Sequence, residues 1–186
     1  MTTAAAHAPG AGAPLLARRI TLAFTSNPLA NLLIRQTSEV GSHCTYDGAN
    51  RAAGNGHLEV IHDLRERDIH CNEWGADKAA AAGHLEIVHD LRAHGIHCTF
   101  DGADMVASSG HLRVIQDLRE HGIPCTPNAA NIAAGRGFLE VVRDLRAHGV
   151  HCTSEGADRA ALSGHSEVVR DLRAHGIHCT LSDAND

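Results

Sequence analysis

Aromatic side chains are scarce in this 186-residue chain: one Trp, one Tyr and three Phe make up 3% of it. A core with so few rings must be aliphatic and alanine-rich, which suits thin helices packed at close range. Long apolar runs are missing too. Without a stretch of about 18 apolar residues, no segment reads as a membrane-spanning helix. Acidic residues are absent from positions 1–38, which carry Arg18, Arg19 and Arg35; all 22 acids and the other 13 of the 16 basic residues lie beyond. That remainder is acidic, a poor match for a phosphate backbone, and nucleic acid is not an expected partner. The length suffices for one domain with a sizeable core. Histidine is the unusual abundance, with 15 of 16 beyond residue 38, and would offset the acidity if the pH fell through its titration range.

A 27-residue unit fills most of the chain. Its copies are Gly48 to Trp74, Gly75 to Asp101, Gly102 to Asn128, Ala129 to Glu155 and Gly156 to Ser182. A fixed period of about 20 to 50 residues marks a solenoid, in which each unit buries its apolar side only by stacking on its neighbours. Within the second copy, Ala76, Ala79 and Ala80 mark a short first helix with Thr99-type residues as N-caps. Gly83 breaks it. A second helix is predicted from His84 to His94, with Leu85, Ile87, Val88 and Leu91 on one stripe. Glu86 in its first turn, and Arg92 and His94 in its last, suit the helix dipole. Gly95 followed by Ile96 reads as a left-handed C-cap. The predicted class is therefore all-α, a solenoid of helical hairpins.

The ends differ from the units. Residues 1–14 have no apolar periodicity and are expected to be disordered. Their Ala, Ser, Thr and Arg content superficially resembles an organelle transit peptide. Residues 15–47, with Leu32 to Ile34 leading into His43, Cys44 and Thr45 in phase with the later copies, are predicted to be a degenerate capping repeat. Residues 48–182 hold the five full copies and 183–186 a tail. Asp68 stands where later copies have Gly95, Gly122, Gly149 and Gly176, Pro124 replaces a His, and Phe138 and Ala129 replace His84-type and Gly75-type residues. Ser166 replaces a Leu85-type core residue, as a solvent-facing last copy requires.

The runs GHLEVIHDL, GHLEIVHDL, GHLRVIQDL, GFLEVVRDL and GHSEVVRDL, each after a pair of small residues and before a glycine cap, resemble ankyrin repeats. With the preceding CT they are similar to the shortened ankyrin-like repeats of large DNA viruses of amoebae and some protists. The resemblance covers about residues 40–182. It departs in period, 27 against the usual 33, and in lacking TPLH. The resemblance implies that the missing piece is the β-hairpin finger, leaving first helices and links as the ligand surface.

Cys44, Cys71, Cys98, Cys125, Cys152 and Cys179 are 27 apart. Equivalent atoms of stacked helices lie roughly 8 to 10 Å apart, beyond the 7 Å or so a disulfide spans. Free buried thiols in a reducing compartment are expected. His94, His97 and Cys98, repeated as His148, His151, Cys152 and as His175, His178, Cys179, are zinc-type ligands. One ion cannot be shared across layers, and Arg67 and Pro124 break the set, so no metal site is expected. Cys, His and Asp occur five times over, where catalysis needs one asymmetric constellation; no catalytic residue and no cofactor is expected. Asp63, Asp90, Asp117, Asp144 and Asp171 read as helix-surface residues, four of them facing a His at i+4. Arg65, Arg92, Arg119, Arg146 and Arg173 are placed to bridge layers.

Positions that vary between copies are free to serve a partner. Arg51, Lys78 and Met105 vary on the first helices, with Ile132 and Arg159. Tyr46, Trp74 and Phe100 lie on the links, three of the five aromatics at one end of the array, and aromatics and Arg are typical anchors. The six residues Tyr46, Trp74, Phe100, Arg51, Lys78 and Met105 are the predicted partner-binding set. The expectation is a non-catalytic monomeric scaffold that binds another protein, basic or mixed in charge, in the cytoplasm, or a host cytoplasm if the chain is viral. Two alternatives are a metal- or pH-responsive module using the His and Cys ladders and, by resemblance only, a ubiquitin-ligase adaptor recruiting through Leu15 to Ile34.

Overall fold

The computed structural model describes residues 45–180. The predicted leader over 1–14, nearly all of the predicted cap over 15–47, Cys44, and the tail over 183–186 lie outside the described residues. Ten helices and no strand are present among the described residues. They are α1 (Tyr46–Gly54), α2 (Leu58–Arg65), α3 (Glu73–Ala81), α4 (Leu85–Ala93), α5 (Phe100–Ser109), α6 (Leu112–Glu120), α7 (Pro127–Gly135), α8 (Leu139–Ala147), α9 (Ser154–Leu162) and α10 (Ser166–Ala174). Each pair is a hairpin, and each hairpin packs on the next, chiefly through its odd-numbered first helix.

Alanine makes that close packing possible. Ala52, Ala53, Ala79, Ala80, Ala103 and Ala107 are all fully buried between neighbouring first helices, where a larger side chain would push the backbones apart. Even-numbered helices supply the larger payload. Ile87, Val88 and Leu91 of α4, and their equivalents Val114, Ile115 and Leu118 of α6, are buried. Each Leu or Ile removed from water contributes about 1.5 to 3 kcal/mol.

The helix ends follow the predicted chemistry with shifted boundaries. Thr99 and Thr126 are N-caps whose hydroxyls accept from Gly102 and Ala129 N–H. The second helix is shorter than predicted, Leu85–Ala93, with His84 and His94 as its flanking caps. The first helix begins earlier than its alanines suggested, at Glu73, because Asn72 caps it there. At the hairpin exit Gly95 has φ +80°, and Asp68 takes the same left-handed conformation at φ +61° in the first copy, a geometry Asp tolerates better than most residues.

The turn inside each hairpin is keyed to the next copy. A Cβ added at Gly83 would lie 2.8 Å from the His111 ring, and one at Gly56 or Gly110 equally close to His84 or Phe138. The ring of each second helix's leading residue thus lies flat against the glycine before it in the array. Phe138 fills this role as well as histidine does, which makes the position one of packing.

Candidate interaction surface

Tyr46, Trp74 and Phe100 do not lie on the links. The caps Thr45, Asn72 and Thr99 precede them, so each falls in the first turn of α1, α3 or α5. There they remain 64%, 49% and 58% exposed. Trp74 is held by its own helix: Lys78 Nζ sits 4.9 Å from the centre of its ring, a cation–π contact.

Further along the same three helices, Arg51, Lys78 and Met105 come together. With Gly54, Asn55, Ala81 and Ala82 they line an open groove of about 330 Å³. Gly54 eases the approach, since a Cβ there would meet Lys78 Cβ tightly, at 3.1 Å. Arg51 is half answered by Asp47, at 3.1 Å on its own helix. The surface therefore has two rows: exposed rings beside the first-turn acids Asp47, Glu73 and Asp101, then a groove with two cations and a methionine. The six predicted residues occupy one run of consecutive first helices. Their chemistry is mixed.

Charges that recur at the same place in successive copies turn inward. Asp90, Asp117, Asp144 and Asp171 are not surface residues; their side chains are mostly covered, and each receives an arginine from the preceding copy. Arg65 bonds Asp90, Arg92 bonds Asp117, Arg119 bonds Asp144 and Arg146 bonds Asp171. A second donor joins each time: His62 at 3.0 Å, His89 at 2.8 Å, Gln116 at 3.0 Å and Arg143 at 2.9 Å. Burial alone would raise these carboxyl pKa values, but the hydrogen bonds and charge of the arginine and its companion outweigh it and hold all four below the usual range. The i+4 histidines are secondary partners, 3.8 to 3.9 Å from the carboxylates. Their Nδ1 atoms lie closer to the aspartate's own backbone carbonyl, 2.7 Å in His94 and His121.

A second ladder was missed in the sequence. Asn50, Asp77, Asp104, Asn131 and Asp158 recur every 27 residues, always Asp or Asn. Asp77 is 4% exposed and accepts from the Thr99 N–H at 2.8 Å and the Thr99 hydroxyl at 2.7 Å. Asn131 binds Thr153 in the same place. No buried side-chain polar atom is left without a partner among the described residues. The unbroken Asp/Asn pattern on an otherwise alanine helix was the available signal.

The His and Cys triplets are not gathered. Cys98 is buried and His97 exposed, while His94 turns to Asp90. No group of three or more His, Cys, Asp or Glu is arranged to hold a metal ion among the described residues. Cys71, Cys98, Cys125 and Cys152 are buried thiols outside any disulfide, and Cys179 is buried too; Cys125 and Cys152 direct their thiols at carbonyls of Ala103 and Ala130 in their own copies, 3.4 and 3.3 Å away. No described helix is long and apolar enough to cross a membrane. The chain matches no family model and no curated protein.

Proposed function

We propose that this chain is a non-catalytic, ankyrin-like helical solenoid that binds another protein through the run of first helices α1, α3 and α5. The exposed row Tyr46, Trp74 and Phe100 carries the reading. The fold gains little from rings left in water, whereas a partner that covers them gains about 25 cal/mol for each Å² buried. The adjacent groove of Arg51, Lys78 and Met105 adds an apolar floor with two cations. The first-turn acids beside the rings add sites for basic groups. The fitting partner offers an apolar segment flanked by both signs of charge, and charge complementarity then fixes its register. The absence of strands among the described residues agrees with a shortened unit that has no projecting hairpin. A reducing cytoplasm suits the free thiols, and the scaffold acts as a monomer.

Affinity capture from the native cell tests this. The intact chain should recover a partner that the Tyr46→Ala, Trp74→Ala, Phe100→Ala triple variant loses. Equal recovery by both removes the aromatic row from the binding surface.

A further inference from the structure

Among the described residues, the α9–α10 face repeats every feature of an interlayer contact, and no described layer covers it. Val169 is only half-buried, whereas its counterparts Ile61, Val88, Ile115 and Val142 are 1 to 3% exposed beneath the following hairpin. Gly164 has nothing within 4 Å of the place a Cβ would occupy, where Gly56, Gly83, Gly110 and Gly137 each face a ring. Arg170 and Arg173 hold the positions from which Arg143 and Arg146 bind Asp171. No acid pairs with either among the described residues. Together with Ala161 and Ser166 these groups line one recess.

The internal layers show what fills such a recess. In each, one even-numbered helix and its leading residue deliver three groups spaced by three: a ring, a β-branched aliphatic and an aspartate. They are His84, Ile87 and Asp90; His111, Val114 and Asp117; Phe138, Val141 and Asp144; His165, Val168 and Asp171. The ring covers the glycine, the aliphatic side chain enters the apolar seam and the carboxylate receives the two donors.

We infer that the α9–α10 face is a docking site for a single amphipathic helix of another protein carrying an aromatic or imidazole ring, a β-branched residue and a carboxylate at i, i+3 and i+6. Leu162 selects against a complete further hairpin. It stands, 77% exposed, where the other copies carry only the small residues Gly54, Ala81, Ser108 and Gly135; a Cβ at Gly135 would already lie 2.8 Å from Arg159 Cβ. A hairpin seated in the usual register meets that leucine. A lone helix on α10 avoids it and gains an apolar rim. Arginine is suited to the task because its planar fork binds a carboxylate through two hydrogen bonds, and a helix laid in an apolar groove with a charged end is an established mode of recognition.

The probe is a fluorescent peptide of residues 137–149, which carries Phe138, Val141 and Asp144, stapled as a helix and titrated into the full chain. Saturable one-to-one binding is expected. It should weaken about tenfold or more in an Arg170→Ala, Arg173→Ala chain and, separately, when Asp144 of the peptide becomes Asn. Circular dichroism should show the double variant folded, since neither arginine pairs within the described array. The Tyr46→Ala, Trp74→Ala, Phe100→Ala chain should bind the peptide normally, which separates this face from the surface proposed above. No binding, or binding indifferent to both arginines and to the aspartate, overturns the assignment. So does sedimentation showing that the chain self-associates and that Arg170→Ala, Arg173→Ala abolishes the association, for the occupant would then be a second copy.

Discussion

Arg92 on α4 and Asp117 on α6 meet through two hydrogen bonds, Nη1 to Oδ2 at 2.7 Å and Nη2 to Oδ1 at 3.0 Å. The two side chains are 18% and 13% exposed, so the pair lies between a surface ion pair, which contributes almost nothing, and a buried one, whose breakage is severe. Asp117→Asn leaves the guanidinium and the His89 ring facing an amide and should cost about 1 to 3 kcal/mol. Urea denaturation should show a lower midpoint with little change in slope. A double-mutant cycle with Arg92→Ala should return a coupling of at least about 0.5 kcal/mol. Additive losses would mean that the bridge contributes nothing across the layers.

Four such aspartates set the acid limit of the fold. Asp90, Asp117, Asp144 and Asp171 are held below their usual pKa. A carboxyl depressed in the folded state contributes stability that is fully present above its unfolded value, about 3.9, and is lost as the pH falls through the lower folded value. The urea midpoint should therefore show no loss from these groups between neutrality and about pH 5, then drop steeply below about pH 4. Asp117→Asn should reduce the steepness of that drop. If the variant and the parent lose stability in parallel, protonation at this position is not what drives acid unfolding.

How much of this was legible follows from which side of the array each residue serves. The helical hairpins were readable because Leu85, Ile87, Val88 and Leu91 fall on one stripe and Gly83 and Gly95 interrupt it. The bridges of Arg65, Arg92, Arg119 and Arg146 were anticipated from their recurrence in every copy, but Arg173, named with them, meets no acid among the described residues. Their acceptors were misplaced, because Asp117 stands four residues before His121 on one helix while its principal partner, Arg92, comes from another layer 25 residues away. No pattern within one unit shows that distance. The Asp77 to Thr99 contact lies within one 27-residue unit, 22 residues apart, but joins the first helix of one hairpin to the cap of the next. Tyr46 and Phe100 were assigned to links because the first helix was begun at its alanines, although the Thr99-type residues were read as its N-caps. In fact Thr45 and Thr99 start the next helix at once. The grouping of Arg51, Lys78 and Met105 into one groove follows directly from their 27-residue spacing.

The Asp/Asn ladder predicts a stabilising change. Where the residue is Asp77, the Thr99 hydroxyl donates to its carboxylate and keeps a lone pair to cap Gly102 N–H, at 3.1 Å. Where it is Asn131, the amide donates to the Thr153 oxygen at 3.0 Å, and Thr153 makes no side-chain cap bond to α9. Asn131→Asp reverses the direction of that hydrogen bond and frees Thr153 to cap Gly156 N–H. A restored N-cap is worth about 0.5 to 1 kcal/mol, and the urea midpoint should rise accordingly. The gain should vanish in a Thr153→Val background. A variant that is less stable than the parent at neutral pH would show instead that the buried carboxylate's desolvation exceeds the cap.

The cysteine ladder makes unfolding chemically visible. Burial pushes the Cys71 and Cys152 thiols up to about 11 and those of Cys98 and Cys125 up to about 12; nearby carboxylates add to the rise and the bridging arginines oppose it. The thiolate is the reactive form, and at pH 8 it is about one part in a thousand or less of each native thiol. In a chain with Cys44 and Cys179 replaced by alanine, an aromatic disulfide reagent should find four thiols only as fast as the array opens. Their rate should climb with urea along the unfolding curve rather than with pH along an ordinary thiol titration. The outer pair, Cys71 and Cys152, should lead if the end layers open first, since local openings cost less than global unfolding. Rapid stoichiometric reaction of the folded chain at pH 8 would show that the thiols are not sealed between layers, and with that the tight alanine packing around them would have to be given up.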